Sequence, residues 1–98
     1  MIIIAFASYP PESAREMGTR FVEMSPVPEF ITREGPYMYA DGSDGIKAVS
    51  LFKCDRSRAA ETLAFVNEQH AVFYGIEGYR YDIRVCAGAE IAMKISGL

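Results

Sequence analysis

The chain is short of the residues that most often carry chemistry. It holds one histidine, His70, and two cysteines, Cys54 and Cys86, which form neither a Cys-x-x-Cys pair nor any zinc-ligand spacing. Asp41 and Asp44 sit in DGSDG, but no acidic series or closing glutamate follows them, so the segment reads as turn chemistry rather than a calcium loop. No metal and no cofactor are expected. Basic charge is also scarce. Ten Lys and Arg stand against 13 Asp and Glu, for a formal charge of −3, which argues against a phosphate-binding surface and hence against nucleic acid. A long hydrophobic run is missing too. MIIIAFA has no basic segment ahead of it and falls well short of the roughly 20 residues of a membrane span. Reduced thiols, a cytoplasmic location and no membrane partner are the expectation.

What is present is an alternation of strand and helix patterns within 98 residues, the length of one domain. Residues 1–9 read as a strand. Ile2, Ile4 and Phe6 point one way and Ile3, Ala5 and Ala7 the other, so both of its faces are apolar. Pro10 and Pro11 open a helix with the stripe Ala14, Met17, Gly18, Phe21 and Val22, a favourable Glu16–Arg20 pair on its other side, and a stop at Ser25-Pro26-Val27-Pro28. Residues 30–40 form a second strand, bulged and placed at a sheet edge by Gly35-Pro36. The turn at 41–45 leads into a third strand over 46–53. Asp55 is the expected N-cap of a second helix that runs to about Tyr74, with Gly75 just past its end and the stripe Ala59, Leu63, Val66, His70 and Phe73. Glu68 and Gln69 are expected to point away from that stripe. Residues 79–87 alternate most cleanly: Tyr79, Tyr81, Ile83 and Val85 on one face, Arg80, Asp82, Arg84 and Cys86 on the other. The tail AEIAMKISGL favours a short helix.

This order predicts an α+β, ferredoxin-like βαββαβ sandwich: a four-stranded antiparallel sheet of order 4-1-3-2 with two helices on one face. The first and third strands are expected to be central and, as a pair, parallel. Cys54 and Cys86 then flank the first strand at about 9.6 Å, beyond the roughly 6.8 Å reach of a disulfide. Helices on one face leave the other face of an apolar first strand uncovered. Val49 and Leu51 would lie on one side of the third strand and Ile46, Ala48 and Phe52 on the other. The C-terminal tail could cover part of the open face. A second copy of the chain, sheet against sheet, is the simpler cover.

The strand-to-PPES helix start, the hairpin ADGSDGIK, the segment YGIEGYRYDIRV and a short tail after the fourth strand together resemble the dimeric α/β-barrel group of ferredoxin-like proteins, especially its small uncharacterised bacterial domains. In that group two four-stranded sheets close a shared barrel. The resemblance covers nearly the whole chain and implies a homodimer. Members of the group include cofactor-free oxygenases, isomerases, haem-handling proteins and domains without known activity, so the resemblance implies no single reaction. Two other ferredoxin-like roles are disfavoured. GIKAVSLFK lacks the basic, aromatic pattern of an RNA-reading strand, and SYPPES stands where a soft-metal chaperone carries paired cysteines.

Four residues are candidates for a ligand pocket: His70, Tyr81, Tyr39 and Arg84. His70 suits proton transfer near neutral pH, though a hydrogen-bonded core histidine is the plainer reading. His70 and Tyr81 are expected to meet between helix and sheet. The tyrosines, Tyr39 among them, each join an apolar body to a polar tip and suit a pocket wall or an interface. Arg84 could hold a carboxylate, or pair with Asp82 at an interface. It cannot share a site with Tyr81, because their strand positions have opposite parity. Arg56 and Arg58 at the start of the second helix are weak anion-site candidates, since Asp55 competes for the same amides. The expectation is a homodimeric small-molecule binding or assembly module. The alternative is a cofactor-independent oxygenase or isomerase acting on a small aromatic or anionic substrate, with His70 as base.

Overall fold

Isoleucine-rich β1 (Ile2–Tyr9) occupies the interior of the sheet, where β-branched side chains pack on both pleated faces. The structure is a computed structural model, and it describes residues 1–42 and 45–97. Along the chain β1 is followed by α1 (Ala14–Phe21), β2 (Thr32–Asp41), β3 (Gly45–Lys53), α2 (Ala59–Ala71), β4 (Arg80–Cys86) and α3 (Ala89–Ile95). Short 3₁₀ turns, Pro11–Ser13 and Arg56–Arg58, lead into α1 and α2. The result is an α+β domain with one four-stranded antiparallel sheet and three α-helices among the described residues, compatible with a ferredoxin-like arrangement. The sheet order is β2-β3-β1-β4, which reads 4-1-3-2 from the other edge.

β1 and β3 pair antiparallel, not parallel as expected. Chain direction explains the correction. The crossover through α1 returns β2 in the direction of β1, and the hairpin then reverses β3. Ser43 and Asp44 of that hairpin turn lie outside the described residues, so the reading of DGSDG rests on sequence alone. The bulge in edge strand β2 falls between Glu34 and Tyr37, across the cis Gly35–Pro36 bond. Gly35 sits at φ +93°, and a Cβ there would approach Val49 O to 2.8 Å and Tyr37 N to 2.9 Å, so only glycine fits.

Register assigns the faces. Ile3, Ala5, Ala7 and Tyr9 share one face with Phe52, Ser50, Ala48 and Ile46 of β3 and with Val85, Ile83 and Tyr81 of β4. Helices α1 and α2 cover this face. One apolar cluster joins Ile3, Ala5, Ile31 and Phe52 to Val66 of α2. A second joins Tyr9 to Met17 of α1 and to Phe73 and Ile76. The buried line of α2 runs through Thr62, Val66 and Gln69. Gln69 therefore does not point away. It is buried, and its Nε2 donates to Ser25 O at 3.0 Å, tying the α1–β2 connection to α2.

Several smaller expectations also change. Asp55 precedes the 3₁₀ turn but makes no side-chain cap hydrogen bond. Val22 leaves the apolar stripe of α1 and is 81% exposed. Helix α2 ends at Ala71, and successive turns continue to Gly75 at φ +88°. The tail is helical; no residue of α3 is buried, and Ile95 is 80% exposed. Both cysteines are free.

Candidate functional site

Small side chains at the middle of the sheet open a cleft on its helix side. Ala5 pairs with Ser50 and Ala7 with Ala48 across β1 and β3, so two adjacent cross-strand pairs on the helix side carry almost no bulk. Above this floor lies a cleft of about 320 Å³, at the low end of the roughly 300–1,000 Å³ of small-molecule pockets. Its walls include Met17, Gly18 and Phe21 of α1, Gln69 and His70 of α2, Phe73 beyond it, Phe52, and the β2 residues Arg33, Pro36 and Met38. A Cβ built on Gly18 would meet no atom within 4 Å, so this part of the cleft wall borders open space.

Two polar straps hold the walls. Arg20 pairs with Glu16 at 2.7 Å, as the helix spacing predicts, and its Nη1 also donates to Tyr74 O at 2.6 Å and Val72 O at 3.2 Å. Those carbonyls follow α2, so Arg20 fixes α1 against the end of its neighbour. The Gln69–Ser25 bond fixes the α1–β2 connection four residues past the end of α1. Ser13 adds a third tie, its Oγ donating to Glu77 O at 2.8 Å.

His70 lines the cleft, and its Nδ1 is hydrogen-bonded to the Tyr79 hydroxyl at 2.5 Å. Burial lowers the imidazole pKa, which favours the neutral ring. Burial also raises the Tyr79 phenol, with Tyr81 and Tyr74 adding to the shift, so the phenol stays protonated. Tyr81 stacks on His70 with centroids 5.0 Å apart and planes 8° from parallel, which brings together the pair expected from sequence. The Tyr81 hydroxyl bonds that of Tyr74 at 2.6 Å, and this bond is the main cause of its raised pKa. His70 and its aromatic neighbours thus satisfy one another, and none of these groups is left as a buried polar atom without a partner.

Tyr39 and Arg84 lie elsewhere. Tyr39 pairs with Lys47, and Arg84 with Ile4, which puts both on the face away from the helices. Tyr39 is therefore not part of a pocket with His70; a single parity step separates the two faces. Arg84 pairs with Asp82 at 2.7 Å in the open, so it belongs to a polar border of that face. Within this border Ile4, Phe6, Val49 and Leu51 form the apolar centre of the sheet, with Phe6 43% exposed. At the start of α2, Arg58 pairs with Glu61 at 2.9 Å and lies over the Phe30 ring at 3.6 Å, an arrangement that uses it structurally. Among the described residues no group of three or more His, Cys, Asp or Glu side chains could hold a metal ion, and no helix is long and apolar enough to cross a membrane.

Sequence reasoning overlooked three parts of the cleft: the alanine–serine floor, Arg33 and Gln69. The floor has a weak sequence signal, small residues two apart on β1 and again on β3. No protein-family model matches the chain, and no curated protein matches it in sequence. Among solved structures it is similar to a de novo designed protein, Foldit4, at 12% identity and a TM-score of 0.45, with 89% of this chain and 94% of that chain covered. That similarity carries no functional information.

Proposed function

We propose that the chain is a cytoplasmic, homodimeric domain of the ferredoxin-like, dimeric α/β-barrel type that binds a small apolar molecule in the cleft between α1, α2 and the sheet. The observation that carries this reading is the floor of the cleft. Ala5, Ala7, Ala48 and Ser50 leave about 320 Å³ open beneath two helices that polar straps hold in place. An apolar cleft of this kind favours an apolar guest. The homodimer is supported by Ile4, Phe6, Val49 and Leu51, which share the face opposite the helices; Phe6 is 43% exposed there and the other three are half-buried.

The test uses 1-octanol, a neutral apolar probe. Titration calorimetry should show it binding the native protein and failing to bind Ala48→Phe, in which the new ring occupies the cleft. Equal binding by a folded Ala48→Phe variant would remove the cleft from the account. Light scattering should return twice the 10.9 kDa chain mass, and a stable monomer at micromolar concentration would end the dimer proposal.

A second reading, a cofactor-independent oxygenase or isomerase with His70 as base, is favoured by one observation: the His70 ring stands in the wall of the cleft. With phenolic or quinone substrates, turnover unchanged in His70→Ala would exclude it.

A further inference from the structure

We infer that the ligand of this cleft is a medium-length carboxylic acid whose head group is held by Arg33 at the β2 end. The inference rests on the cleft being the binding site and adds the chemical class of its occupant. Three of the six polar side chains along the cleft are already occupied, and Tyr9 and Ser50 offer only neutral hydroxyls. Gln69 donates to Ser25 O, and His70 and Tyr79 bond each other. Arg33 is the charged side chain that remains. It lines the cleft opposite Phe52, makes no hydrogen bond or ion pair among the described residues, and has no carboxylate for a neighbour along the cleft wall. The nearby acid on the same strand, Glu34, points to the other face and is taken by Lys53 at 2.9 Å.

An arginine fork of this kind matches a carboxylate in bidentate geometry. Arg33 is exposed, so an anionic head group bound there keeps part of its hydration while the chain enters the apolar part. The body of the cleft suits such a chain. Met17, Met38, Phe21 and Phe73 form walls of adaptable thioether and flat ring, which accept an alkyl or aryl body without a fixed polar partner. Position in the sheet favours an elongated molecule. Arg33 stands on edge strand β2 in the register row of Phe52 and Ile3, whereas Tyr79 and His70 border the cleft at its β4 side. The three intervening strand spacings are about 4.8 Å each.

Octanoate and 1-octanol have the same eight-carbon body and differ in charge, and calorimetry of both on the full chain tests the inference. Octanoate should bind the native protein at least tenfold more tightly than 1-octanol. Arg33→Gln should remove that preference, and Arg33→Lys should restore part of it. Octanoate affinity should also fall with added salt. If 1-octanol binds as tightly as octanoate, or if Arg33→Gln leaves octanoate binding intact, the carboxylate inference fails while the cleft reading stands. If neither probe binds, or if both bind Ala48→Phe, the cleft reading fails and the inference with it.

Discussion

On the helix-covered face, the two central strands carry Ala5, Ala7, Ala48 and Ser50 in their middle. On the opposite face the same strands carry Ile4, Phe6, Val49 and Leu51. A sheet that needed only a filled core would put the large side chains under its helices and leave the small ones outside. Here bulk is withheld where α1 and α2 offer cover and supplied on the face they do not cover, where Ile4, Val49 and Leu51 are half-buried and Phe6 is exposed. Under the proposed function the difference gives the two faces separate uses: a cleft for a small guest on one side, and on the other a surface suited to a flat apolar partner. The helix-covered face still contains a core, but the core lies at the flanks of the cleft, with Ile3, Phe52 and Val66 on one flank and Tyr9, Met17 and Phe73 on the other.

Neighbouring isoleucines offer the sharpest way to break this comparison. Ile3 is fully buried among Phe52 and Val66, so Ile3→Ala should destabilise the fold by about 2–5 kcal/mol. Ile4, one residue on, faces the other way. Ile4→Ala should cost less in denaturant unfolding of the monomer, and should weaken the association of the proposed dimer. Equal unfolding losses at Ile3 and Ile4 would mean that both faces are core.

The next effect is pH-dependent. His70 has a lowered pKa in the folded chain because burial disfavours its charged form. Its contribution to stability is therefore fully present above the ordinary imidazole value of about 6.5 and is lost as pH falls through the lowered folded value. Melting temperature should drop on acidification from pH 7 to pH 5 more steeply in the native chain than in His70→Gln. Parallel curves would show that His70 is hydrated rather than walled in beside Tyr79.

The smallest effect sharpens the picture of the cleft wall. Gly18 lies inside α1 with open space where its Cβ would stand, so Gly18→Ala should stabilise the fold by about 0.5–1 kcal/mol through helix propensity alone. A loss of stability would mean that α1 packs against the sheet more closely there than the cleft allows.

How much of this was legible in the sequence depended on how local the cause was. The faces of β4 were readable because charged Arg80, Asp82 and Arg84 alternate with Tyr81, Ile83 and Val85 within one segment. The bulge at Gly35-Pro36 was readable because proline and glycine act on their own backbone. The meeting of His70 with Tyr81 followed from two local patterns combined. Gln69 was not readable, because what satisfies it is the carbonyl of Ser25, 44 residues away and joined only in the fold. The cleft floor was hidden for a similar reason. Alanine is ordinary inside or outside, and only the register that sets Ala7 against Ala48 makes an opening of it. The antiparallel pairing of β1 and β3 was within reach of the sequence, since the element order alone fixes chain direction once the hairpin is traced.

Methyl chemical-shift mapping during an octanoate titration tests the division of the two faces most directly, because β1 presents them alternately. The account predicts that the methyl signals of Ala5, Ala7 and Ala48 move together with the His70 ring, while those of Ile4, Val49 and Leu51 stay where they are. Shifts at Ile4, Val49 and Leu51 with Ala5, Ala7 and Ala48 unmoved would put the guest on the open face and contradict the account.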